Sequence, residues 1–236
     1  MDLFGTLREL ATAFPLTLAI MFVAMIIGFC VALLATTLRI WRVPLVSQLA
    51  DLFVSYGRSV PVVLQLFVAF YGLPLVFVPL GFQDFVDATI ASMVALSLYH
   101  GAYLSEVLRP AYLAVDRGQH EAADSFGYTF SQKLKRVIAP QATHIALPGY
   151  GNALTYLTHN VALVMYIGAA DIMATAHLVM ERVHNEYQIE TYMVLAVIYS
   201  LMCLVVWLIV HAFEVRSPMY VPGERRIKHA RFAGAS

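Results

Sequence analysis

Seven polar side chains are candidates for chemistry because they stand inside or beside long apolar stretches of the sequence. A charged group at the centre of a membrane costs roughly 2.5–3.5 kcal/mol on insertion scales, so polar groups there face a cavity or one another. Side chains in that position could line a pathway for a polar solute. The candidates are Arg58, Gln65, Glu106, Asn152, Thr155, His159 and Asn160.

Three of these residues share a helical spacing. Asn152, Thr155 and His159 stand at i, i+3 and i+7, which predicts one common face of a helix. We expect this face to border the pathway. The alternative is that the same side chains form hydrogen bonds between the helices of a bundle, as isolated polar residues in membranes often do.

The charged candidates also have two interpretations. Glu106 and Arg109 are three residues apart and are predicted to pair on one helix face. Together with Arg58 they could act in gating or ligand binding. They could equally be interfacial anchors whose long side chains extend to the lipid headgroups.

The sequence lacks the motifs of several enzyme classes. It contains no G-x-x-x-x-G-K-[ST] loop, so we do not expect this chain to bind ATP itself. It has no H-E-x-x-H or C-x-x-C pattern and no nucleophile elbow. We therefore expect no catalytic residue, no metal site and no cofactor on this chain, and a membrane-embedded enzyme is the weakest functional class.

Composition indicates a membrane protein. Of 236 residues, 60% are hydrophobic and 13% charged, and the mean hydropathy is +0.72. Soluble domains have about 25% charged residues and about 45–50% apolar ones. We therefore expect an all-α, polytopic membrane protein with a single domain over residues 1–236, and the zero net charge argues against a nucleic-acid partner.

Five apolar stretches are long enough to be membrane spans, which need roughly 20 residues each. Pro15 is predicted to lie in the first turn of the first helix. Pro140, Pro148 and Gly149 are expected to break the chain before the fourth, so that a short re-entrant or tilted section precedes it. The first stretch is also too long for the apolar part of a signal peptide. The predicted spans are about 10–38, 59–83, 88–109, 150–170 and 191–213.

The basic residues predict the orientation of these spans, because cytoplasmic segments are enriched in Lys and Arg. With the N-terminus outside, two basic residues follow the first span, five lie between the third and fourth, and five lie in the tail after residue 213. These twelve of the fifteen would be cytoplasmic. An N-out, C-in orientation is therefore predicted.

The longest polar interval between apolar stretches is residues 121–142, EAADSFGYTFSQKLKRVIAPQA. The orientation above places it in the cytoplasm. Ala122 and Ala123 have little bulk, Glu121 suits a helix N-terminus, and Gly127 permits a turn or a close approach. The interval therefore favours a docking element for a soluble partner over an ordinary amphipathic loop helix.

The same interval resembles the EAA loop of importer permeases of the ABC superfamily. Gly127 follows Ala123 by four residues, and Ile138 and Pro140 follow the glycine by eleven and thirteen. The resemblance implies that residues 118–136 form the coupling segment that fits a groove on an ATP-hydrolysing subunit. Glu121, Ala122, Ala123 and Gly127 would be its core.

Three further segments resemble the polar amino-acid permeases of that superfamily. Residues 58–66 are similar to its R-G-T-P…Q-L run, and residues 102–109 to its A-Y-x-x-E…R run. Residues 159–163 are similar to K-x-T-S-L, with His159 and Val161 where the family has Lys and Thr. In the family this last segment lies beside the substrate pathway.

The resemblance implies a type I importer permease in the bacterial cytoplasmic (inner) membrane, moving a polar amino acid by alternating access. Expected partners are a dimer of ABC ATPase subunits, a second permease that is identical or paralogous, a periplasmic or lipid-anchored solute-binding protein, and membrane lipid. ATP and Mg would bind the ATPase partner. A stand-alone channel or an ion-coupled secondary carrier is the alternative, and the sequence does not identify the amino acid.

Overall fold

The fold is a helical bundle, seen in a computed structural model that describes residues 3–82, 87–182, 184 and 187–216. The basic tail after Arg216 and part of the short loop at 84–87, both assigned from sequence, lie outside these residues. The described helices are α1 (Leu3–Trp41), α2 (Val46–Ser59), α3 (Val62–Phe77), α4 (Ala88–Leu113), α5 (Arg117–Ser125), α6 (Phe130–Lys133), α7 (Ala139–Val161), α8 (Ile172–Arg182) and α9 (Gln188–Arg216). A π-helical turn (Leu134–Ile138) joins α6 to α7, and a 3₁₀ helix (Ala162–Ile167) follows α7.

Helix α4 is the centre of the bundle, since it packs against α1, α2, α3 and α7. Its crossing with α1 is close because glycines stand on both sides. A Cβ on Gly28 would lie 2.9 Å from the ring of His100, and a Cβ on Gly101 would lie 2.6 Å from Val31. Small residues at a crossing let two membrane helices pack with their backbones close together.

By length and composition, two described helices could cross a membrane, covering Gly5–Trp41 and Gln188–Arg216. Two bent pairs raise that number to four if each pair counts as one span: α2 with α3, bent by 115°, and Phe130–Ile167 with α8, bent by 51°. Helix α4 is not among them, and it carries Ser92, Ser97, His100 and Ser105 buried. A helix enclosed by other helices can hold such groups away from lipid. Five spans in an N-out orientation remain a prediction.

Two proline predictions differ from the structure. Pro15 lies well inside α1, because this helix begins at Leu3 and not near residue 10. The predicted fourth span also begins too late: α7 is helical from Ala139, Pro140 occupies its first turn, and it continues through Pro148. A proline is tolerated inside a membrane helix where neighbouring helices enclose the freed backbone groups. Here Gly149 and Gly151 permit that close packing.

The predicted second span, about 59–83, contains the helix α3, which a sharp bend separates from α2. The chain leaves α2 at Val60, which is extended (φ −87°, ψ 130°), and α3 begins after Pro61 and ends at Phe77. The proline supplies the break, since it cannot donate the amide hydrogen bond that would continue α2. The bend places Arg58, near the end of α2, at the edge of a polar pocket.

The close packing of α1 on α4 gives a test. We expect Gly101→Ala to lower the free energy of unfolding by about 1–3 kcal/mol, because the added methyl group overlaps Val31 and overpacking of this kind costs that much. Gly72→Ala in α3 is the matched control, since a Cβ there meets nothing within 4 Å. Unfolding of the detergent-solubilised chain by SDS measures both. Equal stabilities for the two variants would contradict this packing.

Candidate functional site

A polar pocket of about 340 Å³ lies where the α2–α3 bend meets α4 and the end of α7. Its volume is at the lower end of the range for small-molecule sites, about 300–1,000 Å³. Both polar and aliphatic side chains line it. Its lining residues are Arg58, Ser59, Val60, Pro61, Val62, Val63, Tyr99, Tyr103, Asn160 and Leu163.

A bridging carboxylate fixes one wall of this pocket. One oxygen of Glu106 lies 2.8 Å from Nη1 of Arg58, and the other lies 2.7 Å from Nη1 of Arg39. Arg39 in turn lies 2.6 Å from Asp51. The four charges therefore alternate in sign along a chain that joins α1, α2 and α4, and Arg58 is its end at the pocket.

Arg39 is the most enclosed member of this chain, with its side chain 10% exposed. The Ser105 hydroxyl, 3.3 Å from Nη1 of Arg39, adds a further contact. Arg39 is therefore held charged between two carboxylates.

The predicted pairing of Glu106 with Arg109 is wrong. Both oxygens of Glu106 contact arginines of other helices, which lie closer than a neighbour on the same helix. Nε of Arg109 is buried without a hydrogen-bond partner in the described part of the chain. Glu106 and Arg58 therefore connect α4 with α2. The interpretation of these residues as interfacial anchors did not predict this contact.

Gln65 is buried, and it stabilises the bend between α2 and α3 but does not line the pocket. Its Nε2 donates to the carbonyl of Gly57 at 3.0 Å and to that of Val60 at 2.8 Å. These carbonyls belong to the end of α2, where the helix leaves them without a partner in the next turn. Gln65 therefore stabilises the 115° bend that carries Arg58.

The four candidate polar residues of α7 do not line one common surface. Asn160 lines the pocket, but His159 faces α9, where its Nε2 lies 3.5 Å from the sulfur of Cys203. Thr155 donates to the carbonyl of Gly151 within its own helix, and Asn152 is exposed and outside the pocket lining. The common face predicted for Asn152, Thr155 and His159 is therefore not a wall of this pocket.

Two tyrosines of the pocket were not among the predicted site residues, although Tyr103 stands in the A-Y-x-x-E…R run. The rings of Tyr99 and Tyr103 have centroids 4.7 Å apart, and the polar end of Tyr99 lies within reach of Tyr103 and Asn160. Their spacing of four residues, with Glu106 three further along α4, was a usable signal. It was overlooked because aromatic residues in an apolar helix are most often lipid-facing or core.

A second cavity, about 870 Å³, lies between α1, α7 and α9. Apolar side chains such as Phe14, Met21, Leu154 and Val206 line it almost completely. A cavity of that character offers a polar solute no partner for its charges. The smaller, polar pocket is therefore the better candidate for a solute site.

The predicted coupling segment forms a short helix with an exposed outer face. Asp116 caps α5 by accepting from the amide of Gly118 at 2.6 Å. Glu121 and Ala122 are exposed, whereas Ala123 is buried against the rest of the chain. The small side chain of Ala123 thus lets α5 pack on its own protein, and it is not on the surface that a partner would touch.

The chain turns sharply after α5. Gly127 has φ +71° and its Cα faces open space, a conformation that glycine adopts without a steric penalty. Phe126, next to it, has 82% of its surface exposed. Lys133 binds the carboxylate of Asp124 at 2.7 Å and fastens α6 to α5. The exposed surface offered by this turn includes Glu121, Ala122, Asp124, Ser125, Phe126 and Gly127.

Within the described residues, no group of three or more His, Cys, Asp or Glu side chains is arranged to hold a metal ion. The side chains of Arg58, Tyr99, Tyr103 and Asn160 at the polar pocket can offer ion pairing, hydrogen bonding and aromatic contact.

Residues 24–217 match the family described as "Binding-protein-dependent transport system inner membrane component". The chain is 33% identical over 195 residues to the probable amino-acid ABC transporter permease protein PatM of Vibrio harveyi, covering 83% of this chain and 81% of that protein. It is 34% identical over 199 residues to the arginine transport system permease protein ArtQ of Bacillus subtilis (strain 168), covering 84% and 88%. The chain belongs to the amino-acid ABC transporter permeases.

A solved structure extends this relationship to the fold. The crystal structure of an amino acid ABC transporter with histidines superimposes with a TM-score of 0.77 and 28% identity, over 92% of this chain and 99% of that one. The permease fold predicted from the sequence is thereby confirmed. The chain is an integral membrane transport subunit.

The bridge at Glu106 gives a second test. We expect Glu106→Gln to lower the free energy of unfolding by about 3 kcal/mol, because it removes the carboxylate that Arg39 and Arg58 share and leaves the largely enclosed Arg39 with Asp51 alone. Glu9→Gln breaks the exposed pair with Arg182 (2.9 Å) and is expected to cost less than about 1 kcal/mol. SDS unfolding of both variants gives the comparison. A Glu106→Gln variant as stable as Glu9→Gln would show that the bridge does not hold the helices.

Proposed function

We propose that this chain is the membrane-spanning permease of an ATP-driven importer that carries a polar amino acid by alternating access. The observation that carries the proposal is the exposed face of α5 at the end of a membrane bundle, with Phe126 projecting into solvent. An apolar side chain exposed to that degree beside the EAA residues suits a partner that covers it. The partner is a pair of ABC ATPase subunits, which bind the ATP and Mg.

Further subunits complete the importer. A second permease, identical or paralogous, pairs with this one in the bacterial cytoplasmic (inner) membrane, and a solute-binding protein outside delivers the amino acid. Glu121, Ala122 and Gly127 contact the ATPase, and Ala123 keeps α5 seated on the bundle. Support comes from the names of the relatives, which include amino-acid and arginine transport.

In this proposal the polar pocket binds the solute. Arg58, Tyr99, Tyr103 and Asn160 supply its polar contacts. ATP binding draws the two ATPases together, the permeases follow through α5, and the pocket changes the side to which it opens. A ligand-driven change of this kind requires a bundle with two arrangements of similar free energy.

A stand-alone channel or an ion-coupled carrier is the competing function. It would need no surface for an ATPase, and the exposed Phe126 would then have no role. Reconstitution of this chain alone separates the two functions, because a channel or secondary carrier would take up amino acids in liposomes without any ATPase.

Reversal of the charge at Glu121 tests the coupling surface. We expect Glu121→Lys to reduce ATP-dependent uptake at least about tenfold while the protein stays in the membrane, because Glu121 is exposed on the proposed contact face. Glu181→Lys makes the same change at an exposed position of α8 and should leave co-purification of the ATPase intact. Amino-acid uptake and co-purification of the ATPase are measured for both variants. Normal values of both for Glu121→Lys would contradict the proposal that Glu121 contacts the ATPase.

A further inference from the structure

We infer that the apolar cavity between α1, α7 and α9 binds an acyl chain of a bilayer phospholipid, whose phosphate contacts Arg216 at the end of α9. This cavity shares no lining residue with the polar pocket in the described part of the chain. Its occupant therefore does not depend on the transported solute or on the ATPase.

The cavity is a groove that is closed at one end. Leu10 of α1, Ile172 of α8 and Leu195 of α9 pack in one buried cluster there. Elsewhere α1 and α9 both pack against α7 but little against each other. Helix α7 is therefore the floor of the groove, and α1 and α9 are its walls. In the predicted N-out orientation the closed end is outside, and the other end lies in the cytoplasmic leaflet.

The walls of the groove border lipid. By length and composition, α1 and α9 are the two described helices that could each cross a membrane, and most of each apolar stretch is not buried in the bundle. Phe22, Val205 and Ile209 line the groove and are about half exposed. The lining of α9 extends from Ile198 to Phe213, about 22 Å at the rise of an α-helix. The groove therefore runs along the acyl chains of a bilayer whose hydrocarbon core is about 30 Å thick.

A second membrane helix fits this groove poorly. Helices in membranes pack closely through small residues, as Gly28 and Gly101 show where α1 crosses α4. Among the described residues that line the groove, none is glycine or serine, and Ala11 is the one alanine. Bulky side chains such as Phe14 and Met21 make up the rest of the α1 wall. A flexible acyl chain can follow such an uneven surface, whereas a rigid helix would leave gaps.

The end of α9 offers charge complementarity to a phosphate. Phe213 lines the groove, and Arg216 follows three residues later on the same face of the helix. Arg216 is exposed, and within the described residues it forms no ion pair. An arginine at the end of an apolar helix extends to the lipid headgroups, and its guanidinium binds phosphate through two parallel hydrogen bonds. Arg216 is therefore placed to hold the headgroup of a phospholipid whose chain lies in the groove.

The test measures the phospholipid that the full-length chain retains. The protein is reconstituted with phosphatidylethanolamine and phosphatidylglycerol, extracted in a mild detergent and analysed by native mass spectrometry. We expect at least one phospholipid per chain on the unmodified protein. Detection of detergent alone overturns the inference.

Two neighbouring positions of α9 locate the lipid in the groove. Val205 lines it, whereas the adjacent Leu204 is exposed outside the lining. We expect Val205→Trp to reduce retention at least about fivefold, because the indole fills the space of the chain and overpacking is unfavourable. Leu204→Trp is the matched control and should retain phospholipid as the unmodified protein does. Equal retention by the two variants overturns the inference.

A second pair of variants tests the headgroup contact. We expect Arg216→Gln to reduce retention about threefold, the scale of an exposed charge pair. Arg8→Gln removes a charge from an exposed position at the beginning of α1 and should leave retention unchanged. Equal values for both contradict the contact with the phosphate. Because Arg216 is exposed at a helix end, this comparison remains decisive if Val205→Trp does not fold.

The same spectra report the oligomeric state, which separates lipid from a second copy of this chain. If Val205→Trp converts a dimer into monomers and leaves phospholipid retention unchanged, the groove is covered by the second copy and the inference is wrong. If retention falls and the oligomeric state is unchanged, the groove holds the lipid.

Discussion

The structure depends on one carboxylate shared between two arginines. Glu106 belongs to α4, Arg39 to the end of α1 and Arg58 to the end of α2, so a single side chain fixes the positions of three helices. Charges in an apolar bundle are costly unless they are paired. The pairing leaves Arg58 half exposed at the pocket. The same interaction is therefore structural and, in the proposed function, leaves Arg58 available to a solute.

Around this bridge, the helices are arranged by their small and polar residues. Gly28 and Gly101 bring α1 close to α4, and Gln65 holds the bend between α2 and α3. The bend sets Arg58 opposite Tyr99 and Asn160. The pocket therefore results from three local features: the glycines where α1 crosses α4, the proline between α2 and α3, and the amide of Gln65. Each of these residues can be read from the sequence, but the sequence does not show that they meet at one pocket.

The sequence predicted the fold class, the amino-acid permease family and, among the pocket residues, Arg58 and Asn160. It did so because apolar stretches and the EAA spacing are local patterns. It failed where the outcome depends on neighbouring helices: Glu106 pairs across the bundle and not with Arg109, α7 continues through Pro148, and His159 and Asn160 face opposite neighbours. Ala123 illustrates the same limit, since its small size predicts a close contact but not whether the contact is with a partner or with its own chain.

In the proposed function, the pocket bordered by Arg58 opens to one side of the membrane at a time, under the control of an ATPase. Ser59 lines the pocket, so Ser59→Cys, in a protein whose Cys30 and Cys203 are replaced by Ser, reports that access to membrane-impermeant thiol reagents. We predict labelling from one side without nucleotide and from the opposite side when ATP is trapped in the complete importer. Labelling from both sides at once, or from the same side in both states, would contradict the account.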